Sequence, residues 1–174
     1  MAPISATLVN RSGVSPGTFY NYYRTKEAIF EAVSQELLDR LRAETRASRA
    51  KASNLEELLF RSYDSYLHFV ESIEGSMDFI GRNQHHIRLQ LYPSSAISGL
   101  LRDLANDLRR FVPGMSTRDC ALVSSLIVAA GAEAVFRLKR ERRASMKYLR
   151  DFLPKFMFKG LSGWETSGSA KPSA

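Results

Sequence analysis

The sequence predicts an all-α protein, in which a small N-terminal helical domain is joined to a larger helical body. Apolar residues recur at spacings of three and four along most of the chain, and no segment shows the strict alternation of a strand. Hydroxyl and amide residues precede these periodic segments, and proline or glycine interrupts them. With 174 residues and 44% hydrophobic composition, the chain can form one domain with a core and a smaller appendage.

Composition narrows the class of protein further. Aromatic residues make up 10% of the chain, which argues against disorder. The sequence has no run of eighteen apolar residues, and its first residues lack the basic start and apolar core of a signal peptide. A single cysteine, Cys120, excludes an internal disulfide and a multi-cysteine metal site, and we expect it to be a small buried residue near a helix start. These features predict a cytoplasmic protein without a membrane span.

Two short helices and one long helix are predicted at the N-terminus. The first covers residues 5–12 and the second covers about 16–23. Ser15 is a suitable N-cap for the second helix, with Pro16 at its first position. Thr25 then caps a long helix. Its apolar residues fall on one helical face: Ile29, Phe30, Val33, Leu37 and Leu41.

Further breaks and caps divide the rest of the chain into five predicted helices. Asn54, with Glu57 three residues later, predicts a capped helix after the break at 51–54. The next helices are predicted at 76–92, at 95–111, from Ser116 through the run after Cys120, and at 145–161, where Pro154 should cause a kink. The predicted domains are 1–45, 46–164 and a disordered tail, 165–174.

Charge is distributed unevenly along the chain. Residues 1–26 carry three basic residues and no acidic ones, although the net charge of the whole chain is +7. Residues 52–136 have a net charge of −3, whereas residues 137–159 have nine basic and two acidic residues. A basic N-terminal segment favours a polyanionic partner. For residues 137–159, a polyanion-binding surface and an ordinary solvated helix face are equally good interpretations.

The stretch "GVSPGTFYNYYRTK" at 13–26 lies in the basic N-terminal segment and includes the second predicted short helix. Two short helices separated by "GVS" form a helix-turn-helix, and the second helix of that motif reads the major groove of DNA with its N-terminal residues. Phe19 and Tyr23 are four residues apart and should face the core. Tyr20, Asn21 and Tyr22 then lie on or beside the exposed face, where asparagine can pair with adenine and tyrosine hydroxyls can bind phosphate.

The same stretch resembles the DNA-binding signature of the TetR/AcrR family of transcriptional regulators. The matching residues are Ser12-Gly13-Val14-Ser15, Gly17-Thr18-Phe19-Tyr20-Asn21-Tyr22-Tyr23, Thr25-Lys26-Glu27 and Ile29-Phe30. The resemblance implies a ligand-responsive homodimer, usually a repressor, on a near-palindromic operator. It also implies base or backbone contacts to DNA from the following residues: Ser5, Thr7, Ser15, Pro16, Gly17, Thr18, Tyr20, Asn21, Tyr22 and Lys26.

The sequence departs from the family pattern at its start. Members of the family have a further helix before the segment that corresponds to "ISATLVNRSG", whereas here four residues precede Ser5. That helix would supply apolar cover for Leu8, Phe19 and Tyr23. Two interpretations are possible. Either the start site of this sequence was set too late, or the protein is a shortened form with weak DNA binding. The intact motif favours the first interpretation.

The C-terminal helices carry the predicted dimer interface. The run "AAGAEA" at 129–134 consists mostly of small residues, and the last helix has more apolar surface than one core-facing stripe needs. In the resembled family the last two helices pair with their copies, so we expect the same here. The alternative is that both helices fill the core of one chain. The predicted interface residues are Ala130, Ala134, Leu149, Phe152 and Phe156.

A pocket for a small apolar or amphipathic ligand is predicted in the helical body. Aromatic walls with a few polar groups are typical of ligand sites, although aromatics at helical spacing more often belong to the core. The candidates are Tyr63, Tyr66, Phe69, Phe79, Arg82, Asn83, His86, Tyr92 and Phe136.

Metal-dependent and enzymatic functions are disfavoured by the sequence. Adjacent His85 and His86 point about 100° apart on a helix and do not share one ion easily. The chain has no Glu-x-x-His pair, no glycine-rich phosphate loop and no nucleophile elbow. We therefore expect a non-enzymatic protein without a cofactor. The alternative to a DNA-binding regulator is a helical dimer that binds a small molecule, or acts as a scaffold, without binding DNA.

Overall fold

A computed structural model of the chain describes residues 25–88, 95–138 and 145–163. These residues form six α-helices and no strand, so the all-α prediction is confirmed. The helices predicted at 5–12 and 16–23 and the tail predicted at 165–174 lie outside the described residues. The helices are α1 (Lys26–Arg49), α2 (Leu55–Ser72), α3 (Ser76–His86), α4 (Ser95–Phe111), α5 (Thr117–Leu138) and α6 (Met146–Ser162).

The backbone divides into two compact units, Met1–Leu38 and Asp39–Ala174. The division falls inside α1, nearer to the start of the chain than the boundary predicted at residue 45. The last part of α1 therefore belongs to the second unit, together with α2 to α6.

The three caps predicted in the described residues, at Thr25, Asn54 and Ser116, are present, and Ser145 caps α6 in the same way. In all four cases a side-chain oxygen accepts a backbone N–H three residues later, which satisfies a donor that the helix leaves free. The pairs are Thr25 with Ala28 at 3.1 Å, Asn54 with Glu57 at 2.8 Å, Ser116 with Asp119 at 3.1 Å and Ser145 with Tyr148 at 3.2 Å.

The cap of α2 is reciprocal, but its second hydrogen bond is shifted by one residue. The Glu57 carboxylate accepts the backbone N–H of Ser53 at 3.1 Å, rather than that of the cap residue Asn54. This backbone hydrogen bond is the main cause of the lowered pKa of Glu57. The acidic first turn of α2 also complements the positive end of the helix dipole.

α3 is shorter than the helix predicted from Ser76 to Tyr92. It ends at His86, and Ile87 and Arg88 continue as a wider π-type turn, while residues 89–94 lie outside the described part of the chain. Asn83 leaves helical geometry, with φ −116° and ψ 16°, and its side-chain amide donates to the carbonyl of Phe79 at 2.8 Å. The predicted helix is therefore interrupted at Asn83, and its predicted end at Tyr92 lies outside the described residues.

A single core fills the second unit. α2 packs along α6, α4 packs along α5, and α5 and α6 are neighbours. The buried apolar side chains come from all four helices, which explains their spacing of three and four in the sequence. They include Leu58, Leu59, Leu67, Leu104, Leu108, Cys120, Ile127, Val135, Leu149 and Leu153.

Pro154 lies inside α6 and is buried, and α6 is assigned as one continuous helix from Met146 to Ser162 through it. Its missing N–H leaves the carbonyl of Arg150 without the usual intrahelical donor. The Arg150 guanidinium bridges Asp64 and Glu71 of α2, so this turn of α6 is held to its neighbour by charge as well as by packing.

Candidate interaction surfaces

The predicted DNA-contacting residues precede the described part of the chain, except for Lys26. Lys26 begins α1 immediately after its cap Thr25, and the structure describes its backbone but not its side chain. The assignment of these residues to DNA contacts therefore stays a prediction.

Several predicted pocket residues contribute to the core. Tyr63 is 2% exposed, and its hydroxyl donates to the carbonyl of Ile127 at 3.0 Å, while burial raises its pKa. Phe69 and Phe136 are both 5% exposed. A guanidinium lies over each of these two rings: Arg40 is 5.7 Å from the centre of Phe69 and Arg88 is 4.6 Å from the centre of Phe136.

The remaining pocket candidates lie nearer the surface or outside the described residues. Tyr66, Phe79 and Asn83 are half-buried, and Arg82 is exposed. The side chain of His86 and all of Tyr92 fall in the part of the chain that the structure does not describe. The role of these residues in binding a ligand stays a prediction.

A cleft of about 400 Å³ lies elsewhere, around the connection between α2 and α3. Its lining combines acidic side chains with apolar ones, and none of the predicted pocket residues contributes to it. The lining residues are Glu71, Ile73, Glu74, Gly75, Ser76, Met77, Asp78, Leu138 and Met146.

The small-residue run of α5 contacts tyrosines within the same chain. A Cβ added to Gly131 would lie 3.3 Å from the Tyr66 ring and 3.4 Å from the Tyr63 ring, so the missing side chain lets α2 aromatics approach α5. Ala134 also packs against the core, whereas Ala130 is half-buried. At least part of this run therefore serves packing within one chain.

Apolar side chains are left exposed on both α5 and α6, and we call these two rows together the α5–α6 face. Phe152 and Phe156, both predicted interface residues, are 43% and 59% exposed. Tyr148 stacks on Phe152, and Phe152 stacks on Phe156, with ring centres 5.5 Å and 5.6 Å apart. Leu122 and Leu126 are 59% and 55% exposed on α5, where Ala130 continues the same row of positions four apart. Leu149, by contrast, is buried in the core of its own chain.

α5 is the most apolar helix in the described part of the chain. It has 22 residues and a mean hydropathy of 1.7 over an eighteen-residue window, so by length and composition it could cross a membrane. The sequence analysis, which counted uninterrupted apolar runs, did not identify it. Core helices of globular proteins have the same composition, and Val123, Ile127 and Val135 of α5 pack in the core.

No metal site is formed by the described residues. Across 25–88, 95–138 and 145–163, no group of three histidine, cysteine, aspartate or glutamate side chains is arranged to hold an ion. Cys120 is fully buried near the start of α5, as predicted, and burial raises the pKa of its thiol.

The sequence analysis missed two ion pairs between α1 and α4. Arg42 pairs with Asp103 through two hydrogen bonds, Nε to Oδ2 at 2.7 Å and Nη2 to Oδ1 at 3.2 Å. Arg49 pairs with Asp107 through Nε to Oδ2 at 2.8 Å. The sequence did contain a signal for these pairs. The two arginines are seven residues apart and the two aspartates are four apart, so the arginines share one helical face and the aspartates share another.

Comparison with known proteins gives a match for the N-terminal segment of the chain. Residues 5–33 match a family model described as bacterial regulatory proteins, tetR family. No curated protein and no solved structure matches the chain. The matched segment contains all the predicted DNA-contacting residues and the first eight residues of α1, Lys26–Val33. The chain is therefore a transcriptional regulator with an N-terminal helix-turn-helix DNA-binding domain. The matched segment is similar to that of regulators of the TetR family.

Proposed function

We propose that the protein is a ligand-responsive repressor that binds a near-palindromic operator as a homodimer. The match of residues 5–33 carries the proposal, since it covers the helix-turn-helix and the predicted reading helix at 16–23. A reading helix presents its N-terminal residues to base edges, and Ser15 to Thr18 are small enough for close approach. Tyr20, Asn21 and Tyr22 supply the polar groups that can contact bases and phosphates.

The α5–α6 face supports the homodimer. Soluble monomers rarely leave a contiguous row of stacked aromatic rings in water, because burying such rings is strongly favourable. A second copy of the chain presents the same face, so a two-fold axis through it would cover both rows at once. Two reading helices related by that axis would match the symmetry of a palindromic operator.

A small apolar or amphipathic ligand is the proposed effector. The support is the number of aromatic side chains on α2, α3 and α5, together with the polar residues Arg82 and Asn83 on α3. Because these rings are largely packed, we propose that the ligand enters by displacing half-buried side chains such as Tyr66 and Phe79. A cytoplasmic location follows from the need to reach DNA.

The test is selection of bound DNA from a random pool, followed by an electrophoretic shift. The chain as printed is compared with the same chain extended upstream in its reading frame. Enrichment of a palindrome by either form supports the proposal. If both forms fold as dimers and neither enriches any DNA, the chain is better described as a helical small-molecule-binding or scaffolding dimer.

Two substitutions test the reading helix directly. Tyr22→Ala and Lys26→Ala should each weaken operator binding without changing the helical content or the dimer. Lys26→Ala also removes one positive charge. The plot of log affinity against log salt concentration should therefore become less steep, by about 1 in slope. Lys51→Ala removes an exposed lysine outside the matched segment and serves as the control. Parent-like binding by both variants would show that the reading helix is assigned wrongly.

A further inference from the structure

Three exposed aromatic rings and one glycine form a row along the solvent side of α6. Tyr148, Phe152, Phe156 and Gly160 follow one another at intervals of four, so they lie on the same side of the helix, about one turn apart. All three rings are exposed and neighbouring rings stack on each other, and Gly160 is exposed as well. We call these four residues the α6 row. It presents rings at three positions and a hollow at the fourth.

Nothing in the described part of the chain requires glycine at position 160. Glycine is less favourable than alanine in a helix, so a helical glycine has a cost. A Cβ added to Gly160 would meet no atom within 4 Å, so packing within the chain does not exclude a side chain there. The backbone does not require glycine either, because among the described residues only Gly75 has a positive φ. The missing side chain does leave room for a group from another molecule.

A second copy of the chain can meet the α6 row in two symmetric ways. In a parallel pair each residue faces its own copy, so the two hollows would coincide and the two Tyr148 rings would compete for the same space. In an antiparallel pair the order of the second row is reversed. The ring of Tyr148 then lies opposite the partner subunit's Gly160, and Phe152 lies opposite the partner subunit's Phe156. The row is therefore complementary in shape to its own reversed copy.

The charged residues beside the α6 row also favour the antiparallel pair. Asp151 and Lys155 form an exposed ion pair on α6, and Lys159 follows one turn later. A parallel pair would place each of these charges against its own copy, which is unfavourable. The two-fold axis of the antiparallel pair lies midway between Phe152 and Phe156. Asp151 is then two positions, or about 3 Å of helix rise, from the levels of the partner subunit's Lys155 and the partner subunit's Lys159. Opposite charges therefore face each other across this axis.

We propose that the α6 row pairs antiparallel with the row of a second copy, and that Gly160 determines which partner fits. This inference rests on the proposed homodimer. At each end of the paired rows a Tyr148 ring fills the hollow at the partner subunit's Gly160, and the phenylalanine rings pack across the two-fold axis. A chain with a large side chain in place of Gly160 is excluded as a partner, because that side chain and the ring need the same space. Gly160 therefore selects the chain's own copy.

Exchanging the ring and the hollow tests the pairing. Gly160→Tyr should raise the dissociation constant of the dimer about tenfold, because two rings then compete for one space. Tyr148→Gly should raise it by a similar factor, because the hollow then stays empty. The double variant should recover most of this loss, because a ring and a hollow face each other again in reversed order. Sedimentation over a range of concentrations measures each dissociation constant.

Ser162→Tyr and Lys147→Gly are the matched controls. They introduce the same two residue types at exposed positions of α6 that lie off the α6 row, so both should dimerise like the parent. Circular dichroism checks that every variant keeps its helical content. If Gly160→Tyr dimerises as tightly as Ser162→Tyr, or if the double variant shows only the sum of the two single losses, the proposed pairing is overturned.

Disulfide formation gives an independent measurement of the same pairing. A disulfide requires two Cα atoms within about 7 Å of each other, which the antiparallel pair provides between position 148 of one copy and position 160 of the other. Tyr148→Cys and Gly160→Cys chains expressed together should therefore form a disulfide-linked dimer on oxidation. Each variant alone should not, because identical positions then lie about 18 Å apart along the helix axis. Cys120 is buried and does not compete.

The outcomes separate this inference from the proposed homodimer. Linkage confined to the co-expressed chains, together with recovery in the double exchange variant, supports the antiparallel pairing. Linkage in each single cysteine variant indicates a parallel pair, which overturns the inference and leaves the homodimer in place. A dimeric parent whose co-expressed variants do not link also overturns the inference alone and places the interface elsewhere. A parent that stays monomeric at all concentrations overturns both.

Discussion

At the scale of single residues, Asp103 shows how one contact ties stability to pH. Its carboxylate accepts two hydrogen bonds from Arg42 and its pKa lies below the ordinary value. A carboxyl whose folded pKa is lower than its unfolded pKa stabilises the fold above the unfolded value and loses that contribution as pH falls. The unfolded value for aspartate is about 3.9.

Asp103→Asn should therefore lower the free energy of unfolding most at neutral pH. The difference between parent and variant should shrink as pH falls below about 4, because Asp103 is protonated first in the unfolded chain and only at lower pH in the folded one. Urea unfolding followed by circular dichroism at several pH values measures this difference. Glu44→Gln is the control, because Glu44 is an exposed acidic residue on α1, the helix that carries Arg42. A difference between parent and Asp103→Asn that stays constant across pH would contradict the argument.

At the scale of elements, helix starts are decided locally. Each cap joins a residue to another three positions away, so the sequence alone contains both partners. Thr25, Asn54 and Ser116 could for that reason be predicted correctly, and Ser145 follows the same pattern. The break at Asn83 inside α3 could not be predicted in this way, because helical periodicity does not encode the local change of backbone angles there.

Asn54→Ala should destabilise α2 and, with it, the core of the second unit. Loss of an N-cap of this kind costs about 0.5–2 kcal/mol. The change would be measured as a lower urea midpoint with an unchanged slope, because the surface exposed on unfolding stays the same. Lys51→Ala lies three residues earlier in the exposed turn and should leave the midpoint near that of the parent. Equal midpoints for the two variants would show that the cap contributes little.

Contacts between elements were harder to predict than the elements themselves. Arg42 and Asp103 are 61 residues apart. The residues around each of them do not indicate that the two side chains will pair. The same holds for the surface of α6. A surplus of apolar residues predicted an interface, but only the fold shows that Leu149 points into the core while Phe152 and Phe156 remain exposed. The DNA-binding stretch, in contrast, could be identified because its motif is contiguous.

At the scale of the whole molecule, the α5–α6 face makes a prediction about assembly. Changing Phe152 and Phe156 together to serine should weaken homodimerisation by at least about 2 kcal/mol, roughly thirtyfold, because buried aromatic residues dominate such interfaces. Sedimentation over a range of concentrations would measure the dissociation constant.

Phe60→Ser provides the matched control for this prediction. Phe60 is 50% exposed on α2, outside the α5–α6 face, so its replacement should leave the dimer intact. An unchanged dimer in the double variant would place the interface elsewhere. A monomeric parent that co-sediments with lipid vesicles would instead assign the exposed rows, and the apolar helix α5, to a membrane surface.

Because Cys120 is buried, the rate at which its thiol is labelled can report how often the helical body opens. The chain has no other cysteine, and this thiol is fully enclosed where α5 begins. A thiol reagent can reach it only in molecules whose packing has opened, so the labelling rate reports how often that opening occurs. Bound ligand, bound DNA and each variant can then be ranked by one chemical rate, without attaching a probe or introducing a new residue.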